Sequence, residues 1–181
     1  MTPSVTERAI YLSPWRIDVT IREGIDPIIR VSRLARAMAS ALDAAGAPSP
    51  ASIGLILADD AELAELNRVH LGGDGPTDVL SFPLLPPGSF PVSPLAAAAS
   101  PAFATPPGRR LHLGDVVVSV ERAAEQAAAG RGGQTGDIRW SVGDELRLLV
   151  THGTLHVCGW DHAEPAEEAA MRALERRLLA G

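Results

Sequence analysis

Lysine is missing altogether: all 16 basic residues of this 181-residue chain are arginine. The formal net charge is −6, which excludes a general cationic field for nucleic acid. Any such binding must come from a local arginine patch. Guanidinium groups suit bidentate phosphate contact, although a compositional bias explains their exclusive use equally well. The one cysteine, Cys158, cannot form an intrachain disulfide, which fits a reducing cytoplasm. No stretch reaches the roughly 18 apolar residues of a membrane span, and the alanine-rich patch from Leu95 to Ala104 is broken by Ser100 and Pro101. Met1 to Trp15 lacks a cationic segment followed by an apolar run, so no signal peptide is expected there. Internal repeats are absent too.

What is present is enough for one well-filled domain, with 46% hydrophobic residues. Arg16 to Ile21 alternates apolar and polar residues and reads as a half-buried strand. Asp26-Pro27 reads as the opening of a helix that runs to about Ala45. Ser52 to Ala58 reads as a buried strand, and Asp59 or Asp60 as the cap of a second helix. Asp78 to Phe82 and Leu111 to Val118 read as further strands. Between them, Leu84 to Arg110 holds seven of the 15 prolines and reads as an insertion with no secondary structure. Ser119 caps a short helix to Ala129. Gly130 to Gly136 reads as a linker, and Ser141 to Asp144 resembles a capping box. Glu164-Pro165 opens a last helix whose apolar face is Ala170, Leu174 and Leu178. The expected fold is α+β: a single domain with a mixed sheet of about four strands, helices packed on it, and a metal site at the end of a central buried helix.

That site is the stretch Thr151-His-Gly-Thr-Leu-His-Val-Cys-Gly-Trp-Asp-His162, which holds three of the five histidines. A helix turns about 100° per residue, so His152 and His156 share one face. Gly159 tolerates a left-handed reversal that brings His162 back towards them. Three neutral imidazoles are a usual catalytic zinc set, with water in the fourth position. A closed structural zinc needs a fourth protein ligand. Cys158 points away round the helix and reads as a small core residue. Asp161 fits at least as well as a partner that orients a histidine, or as a cap of its own loop.

The i, i+4, i+10 histidine frame also matches metzincin peptidases. Those enzymes carry a glutamate base directly after the first histidine, where this chain has Gly153. A metallopeptidase is therefore the weaker alternative.

His152-Gly-Thr-Leu-His-Val-Cys-Gly-Trp-Asp-His162 resembles the signature of the YbeY family of bacterial endoribonucleases. Further blocks agree in order: Leu66-Asn67 with Pro76-Thr-Asp-Val-Leu-Ser-Phe-Pro83, then Leu113-Gly-Asp-Val116, then Glu145 with Arg147-Leu-Leu-Val150. The resemblance implies that His152, His156 and His162 hold one zinc ion per chain. It implies a zinc-dependent endoribonuclease that cleaves single-stranded RNA in ribosomal RNA maturation, notably at the 3′ end of the small-subunit RNA, and in ribosome quality control. The implied partners are ribosomal RNA, the small subunit and ribosome-associated proteins, with no membrane. The attacking group, water or a 2′-hydroxyl, is left open.

One departure stands out. Many family members carry an arginine where this chain has Leu71, and Leu71 cannot bind phosphate. Arg68 and Arg147 are the nearest replacements in sequence. Thr77 and Asp78 are candidates for lining the cleft. Leu71 also motivates a second alternative, a non-catalytic ribosome-assembly factor with a structural zinc. Trp160 reads as a packing residue, and His70 and His112 as surface or hydrogen-bonded residues.

Overall fold

Strict alternation in one strand sets the two faces of the sheet. Trp15, Ile17, Val19 and Ile21 are buried, and Arg16, Asp18 and Thr20 between them are half-buried on the other face. The computed structural model of the protein describes residues 5–26, 30–90, 109–130 and 140–181. Among these, the chain forms β1 (Thr6–Leu12), β2 (Trp15–Ile21), α1 (Val31–Ala44), β3 (Ala51–Ala58), α2 (Asp60–Leu71) and β4 (Val79–Pro83). It continues through β5 (Leu111–Ser119), α3 (Val120–Ala128), α4 (Val142–Val157) and α5 (Pro165–Ala180).

The fold is α+β with a mixed sheet, ordered β1-β2-β3-β5-β4. The three central strands β2, β3 and β5 are parallel, and β1 and β4 pair antiparallel on the edges. The sheet therefore has five strands, where the sequence suggested about four. The addition is β1. Its residues are mostly exposed, and its half-buried residues Ile10 and Leu12 give too short an apolar stripe to read as a strand.

α1 begins at Val31 behind an extended Arg30 that makes no side-chain cap, later than the Asp26-Pro27 start expected. Residues 27–29 lie outside the described residues. The helix buries Leu34, Ala35, Met38, Ala41 and Leu42 against the sheet. On the opposite face, α2 covers only part of the sheet, through Leu63 and Leu66 against Ile56, Leu80 and Val117.

α4 is the central helix, touching α1, α3, α5, β4 and β5. Ser141 and Asp144 close its N-terminus as the anticipated capping box. Leu146, Leu149, Val150, Leu155 and Val157 bury different sides of it, which apolar residues round most of the circumference require. Gly153 is its point of closest approach. A Cβ there would lie 2.6 Å from Val116 Cγ1 and 3.1 Å from Val79 Cγ2.

The expectation of no secondary structure in Leu84 to Arg110 fails at its first described residues. A short 3-10 turn forms at Pro87–Ser89, and Phe90 is fully buried in the core. Residues 91–108 and the linker residues 131–139 lie outside the described residues. α5 starts with a Glu164/Glu167 capping box. It buries Met171, Leu174 and Glu175, whereas Ala170 is exposed. Of the expected face, Leu174 is buried and Leu178 packs partly buried against the core, so only Ala170 falls outside it.

Candidate metal centre

His152 and His156 share one face of α4, their rings edge to face and their Nε2 atoms 3.1 Å apart. The helix then ends in a reversal. Gly159 takes φ +78°, Trp160 N–H donates to the Leu155 carbonyl at 3.0 Å, and Gly159 N–H donates to the His156 carbonyl at 3.0 Å. This six-to-one closure is the Schellman pattern, and glycine is the residue it favours. It returns the chain so that the His162 ring centroid lies 5.7 Å from His152 and 5.0 Å from His156. One ligand atom from each of the three histidines lies within 4.8 Å of the others. Two nitrogens held at about 2.1 Å on a tetrahedral ion sit roughly 3.4 Å apart, so the spacing is on the right scale.

The electrostatics fit a cation. Burial, helped by the neighbouring His152 and His162 rings, pushes the His156 pKa down to about 4. Its imidazole is neutral at ordinary pH and offers a lone pair. His152 Nδ1 lies 2.7 Å from Glu175 Oε1, so its Nε2 can be bare. Bare Nε2 lone pairs facing each other at this distance repel unless a proton or a cation sits between them. Cys158 does not join the set: it is fully buried, and burial pushes its thiol up to about 12. Among the described residues, the side-chain group suited to a metal ion is these three histidines alone. Three protein ligands leave room for a further one.

Beside the trio lies a cleft of about 450 Å³ lined by α4, α5 and the start of β4. Asp78 lines it, with its carboxylate accepting hydrogen bonds from Val79 N–H at 2.9 Å and Gln126 Nε2 at 2.9 Å. Thr77 donates weakly to the same carboxylate, at 3.4 Å. Asp161 instead turns to its own loop and accepts from the His162 backbone N–H at 2.7 Å.

Neither arginine singled out in the sequence lines the cleft. Arg68, on α2, pairs with Glu65 and is 64% exposed. Arg147 reaches the Leu179 carbonyl near the end of α5, at 3.4 Å. Leu71 is 68% exposed at the end of α2 and is not a lining residue either.

Other residues fall where the sequence placed them. Trp160 is buried and packs in the core, which leaves no ring face for a base. His70 sits edge-on to Phe82. His112 is hydrogen-bonded on the other face of the sheet, between Ser52 at 2.9 Å and Asp115 at 3.2 Å.

Sequence reasoning missed the cleft's contribution from α5: Glu168, Arg172 and Glu175. Their spacing of four and three residues was the available signal, because it places them on one helical face with Met171. With Asp78 and Glu145, which also line the cleft, they set four carboxyl side chains against one guanidinium. Such a lining draws a divalent cation and repels bare phosphate. Gly153 lies against the sheet rather than the cleft. A glutamate base has no room at that position, which removes the physical footing of a metzincin-type peptidase.

The family model for Endoribonuclease YbeY matches residues 23–181. The chain belongs to the YbeY family. It is 43% identical over 159 residues to an Endoribonuclease YbeY from Salinispora tropica, covering 86% of this chain and 85% of that one. Against the Endoribonuclease YbeY of Moorella thermoacetica it is 40% identical over 151 residues, with 83% and 85% covered. A 44% identity over 131 residues links it to the Endoribonuclease YbeY of Mycobacterium tuberculosis, covering 71% of this chain and 63% of that one. A Thermotoga maritima protein solved in solution shares the fold, with a TM-score of 0.50 at 21% identity and 90% and 86% of the two chains covered. The YbeY match spans the helix, the turn and the loop that bring the three histidines together. Among the described residues, no helix of this YbeY chain is long and apolar enough to cross a membrane.

Proposed function

We propose that this YbeY protein is a zinc-dependent endoribonuclease. Its substrate is single-stranded ribosomal RNA, cut in maturation of the 3′ end of the small-subunit RNA and in ribosome quality control, in the cytoplasm. The observation that carries the reading is the convergence of His152, His156 and His162 within 4.8 Å beside an acidic, part-open cleft. Those three imidazoles are the proposed ligands of one ion per chain. Bound there, zinc supplies Lewis-acid polarisation of a phosphodiester and makes a nearby water more acidic.

The protein's own groups divide the remaining work. His156 is kept neutral by burial and so can ligate at physiological pH. Asp78, held by Val79 and Gln126, lines the cleft and is the proposed group that orients an attacking hydroxyl. Arg172, which lines the cleft and pairs with Glu168, is the proposed phosphate contact, the role for which Arg68 and Arg147 were the sequence candidates. Those two are left for RNA contacts outside the cleft. The carboxylates keep a phosphate chain away except where the ion and Arg172 offset them. The small subunit is the proposed partner.

The test uses purified protein of measured zinc content on an RNA containing single-stranded loops. Wild type should nick the loops, and His156→Ala should lose both zinc and cleavage. Equal cleavage by the two proteins would remove the catalytic assignment. The exposed Leu71, in place of the family arginine, supports one second reading: a non-catalytic assembly factor with a structural ion. It requires that chelation unfold the domain while wild type fails to nick RNA.

A further inference from the structure

We infer that Glu175 is the positioning residue of the histidine centre. By accepting a hydrogen bond from Nδ1–H of His152, it holds that ring in one tautomer and one orientation and leaves Nε2 as the ligand atom. The inference rests on the metal reading above and deepens it.

The contact is 2.7 Å long and joins residues 23 apart in sequence. Glu175 is 8% exposed. A carboxylate this deep is costly unless partnered, and here it meets an imidazole edge rather than a surface arginine. Its place is fixed by the neighbours on its own helix. Met171 and Leu174 are buried in the main core, so α5 cannot rotate without exposing them. The glutamate reaches His152 because the apolar side of α5 is locked down.

The chemistry follows from the tautomer. In water a neutral histidine side chain favours the proton on Nε2. In this centre that would protonate the atom facing His156 Nε2 at 3.1 Å and leave it with no lone pair for an ion. A carboxylate acceptor on Nδ1 moves the preference to the other nitrogen and fixes the ring plane. Glu175 is thus the part of the centre that α5 supplies, and the histidine motif is incomplete without it.

A structural role alone would make Glu175 a buried helix anchor, and two measurements on the full-length, metal-stripped protein separate the readings. Long-range proton–nitrogen NMR reports which His152 nitrogen carries the proton. Competition against a chromophoric chelator reports affinity for zinc itself. Wild type should show His152 as a neutral Nδ1–H ring. Glu175→Ala should shift it towards Nε2–H and weaken zinc binding by roughly 10- to 100-fold.

Glu175→Leu removes the acceptor while filling the space, and it should behave like the alanine variant even if the latter folds poorly. Glu175→Gln keeps an acceptor oxygen, so it should retain the tautomer and lose less affinity. Glu168→Gln removes a carboxylate from the same cleft without touching His152, and it should leave the tautomer unchanged. A Glu175→Leu protein with wild-type tautomer and affinity would overturn the inference. So would Glu168→Gln weakening zinc as much as Glu175→Leu, or a wild-type His152 that is a doubly protonated ion-pair partner at pH 8. Wild type that takes up no zinc would instead sink the metal reading, and the tautomer measurement would still decide the claim about Glu175.

Discussion

A histidine trio and a lone histidine lie on opposite faces of the same strand, and only the trio is open for chemistry. On β5, Val116 faces α4 at Gly153, while Asp115 beside it points to the other face. There His112 has Ser52 on Nδ1 and Asp115 on Nε2, so both ring nitrogens are consumed by the protein. On the α4 side, His152 has Glu175 on Nδ1, and its Nε2 faces only another imidazole. The shifts are opposite too. Its hydrogen bond to Asp115 raises the His112 pKa above 6.5, and burial lowers that of His156 to about 4. A histidine used for structure has its polar atoms closed off, whereas one used for ligation keeps a neutral nitrogen facing space.

The largest expected effect breaks that contrast directly. His156→Ala should drop cleavage of loop-containing RNA by roughly 100-fold or more, as removing an ion-dependent charge stabiliser implies. His112→Gln should stay within about twofold of wild type in the same assay, since its nitrogens hold only Ser52 and Asp115. Next comes the helix that presents the open cluster. Gly153→Ala drives a methyl into Val116 and should cost about 1–3 kcal/mol in chemical denaturation. A cost near zero would mean α4 does not press on the sheet as described. Ser141→Ala removes the capping box of the same helix and should cost about 1 kcal/mol, read as a lower melting temperature.

The pH response sharpens the contrast by a different readout. For His156 the folded pKa is depressed from 6.5 to about 4. The unfolded chain therefore binds the proton more readily in that window, and the metal-free protein should lose stability as pH falls from about 6.5 towards 4. For His112 the folded pKa is raised. Its contribution should be fully present below 6.5 and lost as pH rises through the raised value. Both partners are partly exposed, so it should amount to no more than about 1 kcal/mol. Melting curves of metal-free wild type, His156→Ala and His112→Gln across this range separate the two slopes.

Much of this was legible in the sequence, for identifiable reasons. Local chemistry announced the site: two histidines four apart, a glycine where the chain reverses, and a serine and an aspartate capping the helix. The buried strands read plainly because a central parallel strand is apolar along its length, as β3 is. The edge strand β4 was read as well, but the edge strand β1 was not. β1 is mostly exposed, so its existence depends on pairing with β2 rather than on its own pattern. Contacts between distant segments were also hidden. Proximity in sequence left Asp161 open as a histidine's partner or a loop cap; it caps the loop, and Glu175 reaches the histidine from α5. The cleft arginine was sought near Leu71 and the metal helix, whereas Arg172 lines it from the last helix. Phe90, inside a proline-rich stretch, gave no sign that it would be fully buried.

X-ray absorption at the zinc edge of the loaded protein tests the central claim most directly. The account predicts three imidazole nitrogens at about 2.0–2.1 Å, one additional light scatterer from solvent and no sulfur, and no bound zinc in His156→Ala. A zinc–sulfur distance near 2.3 Å, or fewer than three imidazoles in wild type, would contradict it.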